Sequence, residues 1–419
     1  MSDLKNLSRA VPGHDLKLLG SAPYVYHCHH FNLFHDQTVE DALGPEEAFE
    51  VRCRAARRAS RHLLADAVRM AGAATPIERL QLAASIFRWM GQGDLELLAG
   101  ADGGAARGNH LHYGFAWREK YGAKVRRKVP IDAFAAGYAS AATEVAFDLE
   151  PGSLCGRETS CFACREPGCE FSITTGGEGD TTAPVDAAGV ERRVGTPGAG
   201  IGEERIAAIT QGLNDFLLGV GPDERGLVQG FGIYVTRHLS GYYDQTAYDT
   251  IHFIEQHAPQ ATAAVEGLFG ESGHVCVFYT FGNLLLSPEW EGLVGPVRGE
   301  VEEVVTSCTA IARALGFGHW TISELVPGER LVLRTASNYE FPFYLERYGR
   351  SAKPRCYFFA NAARAFMQLA HRVDWPAKPA LTEDLYQNLF KQGLSWHTEE
   401  TCCCARGDDH CEVVVTRRS

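Results

Sequence analysis

Long runs of a single kind are what this chain lacks. Its 419 residues include no extended Lys/Arg block and carry a formal net charge of −12. Phosphates would meet no basic face, so a nucleic-acid partner is not expected. The same acidity disfavours attachment to an anionic membrane surface. No apolar run approaches the roughly 18–20 residues of a membrane span. The first residues, MSDLKNLSRAVPGHDLK, are polar and mixed in charge and lack the apolar core of a signal peptide. The expectation is a cytoplasmic protein. Gly-rich stretches such as 100–108 lack the Lys-Ser/Thr of a phosphate loop and the dinucleotide fingerprint, so no nucleotide is expected.

What is present is ordinary in bulk: 45% hydrophobic and 22% charged residues, on a chain long enough for two or three domains. The 13 cysteines are less ordinary. In a reducing compartment, clustered thiols are better read as metal ligands than as disulfides.

In chain order, the stretch 24–36, YVYHCHHFNLFHD, holds His27, Cys28, His29 and His30 in a row. Its aromatic and apolar flanks suggest a buried strand, with His27 and His29 on one face and Cys28 and His30 on the other. Pro45 to Gly72 starts acidic, continues basic and ends at glycine, the order a helix favours. A second helix is expected from Pro76, strands and turns between Asp94 and Trp117, and a small-residue helix over 131–147. Residues 175–202 are poor in large apolar side chains and read as a flexible linker. An amphipathic helix follows from Glu203.

The chain also resembles itself. WREKYG (117–122) lies over YLERYG (344–349), and Glu158-x-x-Cys161-x7-Cys169-Glu170 over Glu400-x-x-Cys403-x7-Cys411-Glu412. A weaker match sets YHCHHFNL (26–33) over VFYTFGNL (277–284). The expected organisation is a first α/β module over 1–175, a linker over 176–202, a helical connecting segment over 203–264 and a second module over 265–419.

The ending EETCCCARGDDHCEVVV (399–415) and the upstream ALGFGHWTISELVPGERLVL (314–333) resemble the 4-vinyl reductase domain. The resemblance is best over 80–175 and 300–419. It implies an α/β fold of the α+β type, with helices packed on an antiparallel sheet in two tandem copies. It also implies a homodimer, small hydrophobic or aromatic ligands as in sensor regions, and zinc held by Cys161, Cys169, Cys403 and Cys411. No ATPase segment or DNA-binding helix pair accompanies it, so the implied role is sensing or binding rather than transcription activation.

The residues themselves point to three chemistries. Cys155, Cys161, Cys164 and Cys169 supply four thiols in one turn-rich segment, which suits tetrahedral zinc, with iron or an iron–sulfur cluster as the alternative. Cys403 and Cys411 are the best pair in the second cluster, with Glu400 or His397 as further ligands. His27 and His29 could bind an ion, joined by His110 and His112, or Cys28 could act as a nucleophile with His29 or His30 as base. Against this stands a row of buried histidines bonded to backbone. Tyr113, Trp117 and Tyr121 could line a ligand pocket, or pack in the core. Together these give a metal-containing sensor or carrier of a small hydrophobic or aromatic molecule. The alternatives are a metal-dependent enzyme acting at His27–His30 and an assembly subunit.

Overall fold

The computed structural model describes residues 7–122, 124–176, 185–392 and 396–418. Residues 177–184 of the expected linker lie outside them. In order, the elements are β1 (Ser8–Val11), β2 (Leu16–Leu19), β3 (Ala22–Cys28), α1 (His29–Leu43), α2 (Pro45–Ala71), α3 (Pro76–Trp89), β4 (Glu96–Gly100), β5 (Gly103–Gly108), α4 (His112–Tyr121), α5 (Ala133–Ala146), β6 (Leu154–Ser160) and β7 (Cys169–Thr175). Then follow α6 (Ala187–Arg193), α7 (Glu203–Gly219), β8 (Val228–Gly230), β9 (Ile233–Leu239), α8 (Ser240–His257) and α9 (Thr262–Cys276). Past a π-helical turn at Val277–Phe281 come α10 (Gly282–Leu286), α11 (Pro288–Leu293), α12 (Val301–Ala314), β10 (Gly318–Val326), β11 (Arg330–Asn338), α13 (Glu340–Tyr348), α14 (Tyr357–Arg372), α15 (Glu383–Phe390), β12 (Trp396–Cys402) and β13 (Cys411–Arg417).

This is an α+β fold with three antiparallel sheets. Two four-stranded sheets share one strand order, β4-β5-β7-β6 and β10-β11-β13-β12. Each carries a register shift at the same place, Glu158/Ser160 in one and Glu400/Cys402 in the other. The third sheet, β1-β2-β3-β9-β8, joins the two halves through β3 and β9.

Local signals account for the best-defined helices. Glu46 and Glu47 lie in the first turn of α2, and Gly72 closes it in the left-handed conformation. Thr75 and Glu78 form a capping box on α3. All of α5 is buried. Its Gly137 is needed because a Cβ there would meet the Cys53 carbonyl of α2 at 2.1 Å, so the two helices approach at backbone distance.

Three expectations change. β3 ends at Cys28, and His29 and His30 begin α1, so the four residues do not alternate along one strand. Short aromatic runs fit either period, and only pairing with β9 fixes the strand's end. The segment 203–264 holds β8 and β9 as well as helices. Residues 277–284 are helical, so the counterpart of β3–α1 across the sheet is β9–α8. Around this junction Tyr26 pairs with Arg237, whose Nε donates to the Tyr26 hydroxyl at 3.2 Å. Tyr243 donates to Asn32 (2.6 Å), and His35 Nε2 lies 2.7 Å from Thr246 Oγ1. Each of these pairs is 211 residues apart, the pattern of a local two-fold axis.

The described linker residues are docked. The Gly195 and Ile201 amides donate to the carbonyls of Ala336 and Ile322 (2.7 and 2.8 Å), and Arg192 and Arg193 pair with Glu346. Low apolar content shows weak core potential; it does not reveal an available sheet edge.

Candidate metal centres and a ring-lined cavity

At the second cysteine cluster, β12 runs into a 3₁₀ turn (Cys404–Arg406), and Gly407 at φ 97° returns the chain to β13. The turn places Cys403 and Cys411 side by side, with Cys356 reaching them from the start of α14. Cys356 Sγ lies 3.9 Å from Cys403 Sγ and 3.6 Å from Cys411 Sγ. Ligand atoms of Cys356, Glu400, Cys403 and Cys411 all lie within 4.8 Å of one another. The three thiols are fully buried. Glu400 Oε2 accepts from the Cys356 amide (3.2 Å), while its Oε1 is buried without a partner. Hydrogen bonds from Cys356 and Cys411 hold the Cys403 thiol far below its usual range, favouring a thiolate. Three sulfurs and one carboxylate oxygen form a donor set suited to a closed tetrahedral site. The orphaned Oε1 marks where an ion would satisfy it.

The first cluster has the same frame. A 3₁₀ turn (Phe162–Cys164) precedes Arg165, which takes the left-handed position at φ 71° that Gly407 fills in the other half. The Phe162 amide donates to Cys169 Sγ (3.4 Å), as the Cys404 amide does to Cys411 Sγ (3.3 Å). Glu166-Pro167-Gly168, which stands where the second half has Asp408-Asp409-His410, therefore leaves the turn intact. Glu158, Cys161 and Cys169 have ligand atoms within 4.8 Å. Cys164 neighbours them, and its hydrogen bond, followed by that of Cys169, lowers the Cys161 thiol strongly. Cys155 does not join: it is exposed on β6, whose alternation turns Glu158 inward instead. Asp132 stands where Cys356 stands in the other half. It precedes α5, and its amide donates to Glu158 Oε2 (2.7 Å). Asp132 Oδ2 and Glu158 Oε1 are both buried without partners.

Among the described residues, no histidine belongs to a group of three or more such ligands. His27 is fully buried, with its ring stacked 3.6 Å from Phe31 and 4.9 Å from Phe317. Its Nδ1 lies 3.5 Å from Cys276 Sγ, and its Nε2 has no partner. Burial pushes its pKa down, so the ring is neutral. Cys28 is buried at the α1 N-terminus, and burial raises its thiol pKa. His29 and His30 have ring centres 3.9 Å apart. His29 Nδ1 is 3.3 Å from the Tyr234 carbonyl, and His30 stacks on Tyr279 at 3.9 Å. Burial lowers His29 to about 4. His112 is bonded to Asn32 at 2.9 Å, and His110 lies against Phe115 and Phe162.

The three aromatic candidates do not share a pocket. Tyr113 is buried with its hydroxyl 3.0 Å from His238 Nε2. Trp117 packs on Tyr121 at the outer end of α4, with the Arg127 guanidinium 4.7 Å from its ring. Instead, a cavity of about 30 Å³ lies between α1, α8, α9, α13 and α14. Rings of Phe31, Tyr243, Tyr248, Tyr339, Tyr357 and Phe358 line it, together with His35, Asp244 and Glu340. Asp244 and Glu340 are buried, and burial raises both carboxyls, Glu340 to about 8. The sequence signal for this wall was the aromatic-rich stretch around Tyr243, but its carboxylate partner, Glu340, is nearly a hundred positions on.

No family model and no curated protein matches the chain. Among solved structures, a similar chain is the phenol-responsive sensory domain of the transcription activator PoxR, crystallised with phenol. It is 18% identical with a TM-score of 0.34, and the match covers 42% of this chain and 87% of that one. Among the described residues, no helix is long and apolar enough to cross a membrane.

Proposed function

We propose that the chain is a metal-containing protein that binds a small hydrophobic or aromatic molecule, as a sensor or carrier. The observation that carries this reading is the ring-lined cavity built from both halves of the chain. A site that is mostly apolar with a few polar groups is the usual form of a small-molecule pocket. At about 30 Å³ it has room for roughly two water-sized groups, so a benzene-sized ligand enters only when a lining ring turns aside.

Zinc is the metal that three thiols and a carboxylate favour. Cys356, Glu400, Cys403 and Cys411 would hold it in the second half, and Glu158, Cys161 and Cys169, beside Cys164, in the first. There it would tie α14 to β12–β13, and β6 to β7, as a structural ion. In this reading the two halves are copies of one module. The second copy begins near Glu203, since β8–β9–α8 mirrors β2–β3–α1 across the local axis.

Two measurements test the proposal. Elemental analysis of the purified chain should find zinc, in an amount that falls in Cys356→Ser. Thermal unfolding with phenol should show a saturable rise in Tm. Metal-free protein of unchanged stability would refute the first part. A Tm indifferent to small ligands of every class would refute the second.

A further inference from the structure

The cavity has one acidic wall, formed by Asp244 and Glu340. Asp244 is 3% exposed, lines the cavity and has an Oδ2 with no hydrogen-bond partner. The neighbouring charge that bears on it is that of Glu340, of the same sign. Glu340 is held by the amides of Phe358 (2.9 Å) and Phe359 (3.0 Å) at the start of α14. Among the described residues, neither carboxylate is ion-paired. Asp36, also buried, is matched by contrast: it accepts from Arg52 and Tyr242, both at 2.8 Å. Buried polar atoms are nearly always bonded, and burial without a counter-charge favours the neutral form of both acids. Asp244 Oδ2 therefore lacks a partner that must fit among rings, and a cation there would draw off the acid's proton and hold it ionised.

The rings narrow the choice. A hard metal ion would want about six oxygens, and a soft one nitrogen or sulfur; aromatic faces supply neither. Aromatic faces do attract organic cations through the ring quadrupole. A neutral phenol would donate one hydrogen bond but would hold neither acid in its charged form.

We infer that the cavity takes a small primary ammonium ion, with its N–H groups donating to Asp244 and its charge against the Tyr243, Tyr248 and Tyr339 rings. This rests on the small-molecule-binding reading above and names the ligand's polar head. The cavity's volume admits methylammonium without rearrangement. A larger alkyl or aryl amine requires a lining ring to move.

The test uses the full chain and methylammonium chloride as probe, against equal ionic strengths of sodium chloride and tetramethylammonium chloride. Methylammonium should give a saturable rise of a few degrees in Tm that neither control reproduces. Asp244→Asn should abolish the rise while keeping its own cooperative unfolding. Ala247→Leu, which fills the cavity from α8 and keeps both carboxylates, should abolish it as well. Saturation-transfer NMR on the methylammonium methyl group reads binding directly in each variant, so a variant with altered stability still gives an answer. A rise shared by the sodium control, or retained in Asp244→Asn, overturns the ammonium assignment. If phenol raises Tm and methylammonium does not, the binding reading stands and the ligand class fails. If neither acts, both fail.

Discussion

The two cysteine centres share a frame and differ in one donor. In each, a 3₁₀ turn and a left-handed residue set two thiols side by side, and a glutamate is fixed by the amide of the residue preceding the next helix. That residue is Cys356 in the second half and Asp132 in the first. The second centre thus offers three sulfurs and an oxygen from residues scattered over 56 positions. The first offers two sulfurs and a carboxylate, with Asp132 and Cys164 close by. Softer donors favour zinc more strongly. One frame can therefore carry sites of unequal affinity, with the difference set outside the motif that both share.

Several changes should break or sharpen this comparison. The largest effect is expected from Cys411→Ser, which removes a sulfur from the fuller centre. Metal content should fall, and stability should drop by several kcal/mol, because site formation is coupled to folding; elemental analysis and denaturant unfolding would read both. Cys155→Ser, on the outward face of β6, should change neither. Next comes a feature found in the first half: Arg52, fully buried, pairs with Asp36 (2.8 Å) and Glu40 (2.7 Å), with Arg127 also on Glu40. Arg52→Met strands buried carboxylates and should cost about 3–5 kcal/mol in urea unfolding. Asp132→Cys would make the first centre resemble the second. Its zinc should then be retained about tenfold better against a chelator, by the gain of a thiolate donor. Unchanged retention would mean that Asp132 does not mark the missing donor.

The smallest expected effect is on pH dependence. His35 is held down to about 3, by burial and then by Arg52. Its folded pKa lies below the unfolded 6.5, so the unfolded chain takes up the proton first as the pH falls. Stability that is full above pH 6.5 is therefore lost as the pH drops toward about 3. The limiting slope is about 1.4 kcal/mol per pH unit for one group. His35→Asn should have a shallower acid limb in Tm against pH; an identical limb would place the titration elsewhere.

Much of the frame was legible in the residues. The spacing Glu-x-x-Cys-x7-Cys marks two thiols about a turn, and the structure has a strand, turn and strand there in each half. The helix stop at Gly72 and the helix start at Pro76 were visible because they are local. Cys155 misled because it is near in sequence, whereas strand alternation separates it from Cys161. Cys356 was invisible for the opposite reason: a lone cysteine, 44 residues before Glu400, meets the cluster only when α14 packs on β12. His29 and His30 read as strand until pairing of β3 with β9 ended the strand at Cys28.

The sequence by itself determined which segments could be helix or strand and where two thiols would be adjacent. Those properties depend on period, capping and spacing over a few residues. Only the tertiary structure decided the fourth donor, the pairing of β3 with β9, and the cavity where Asp244 faces Glu340. These rest on contacts between residues tens to hundreds of positions apart, and short-range periodicity carries no information about such distances.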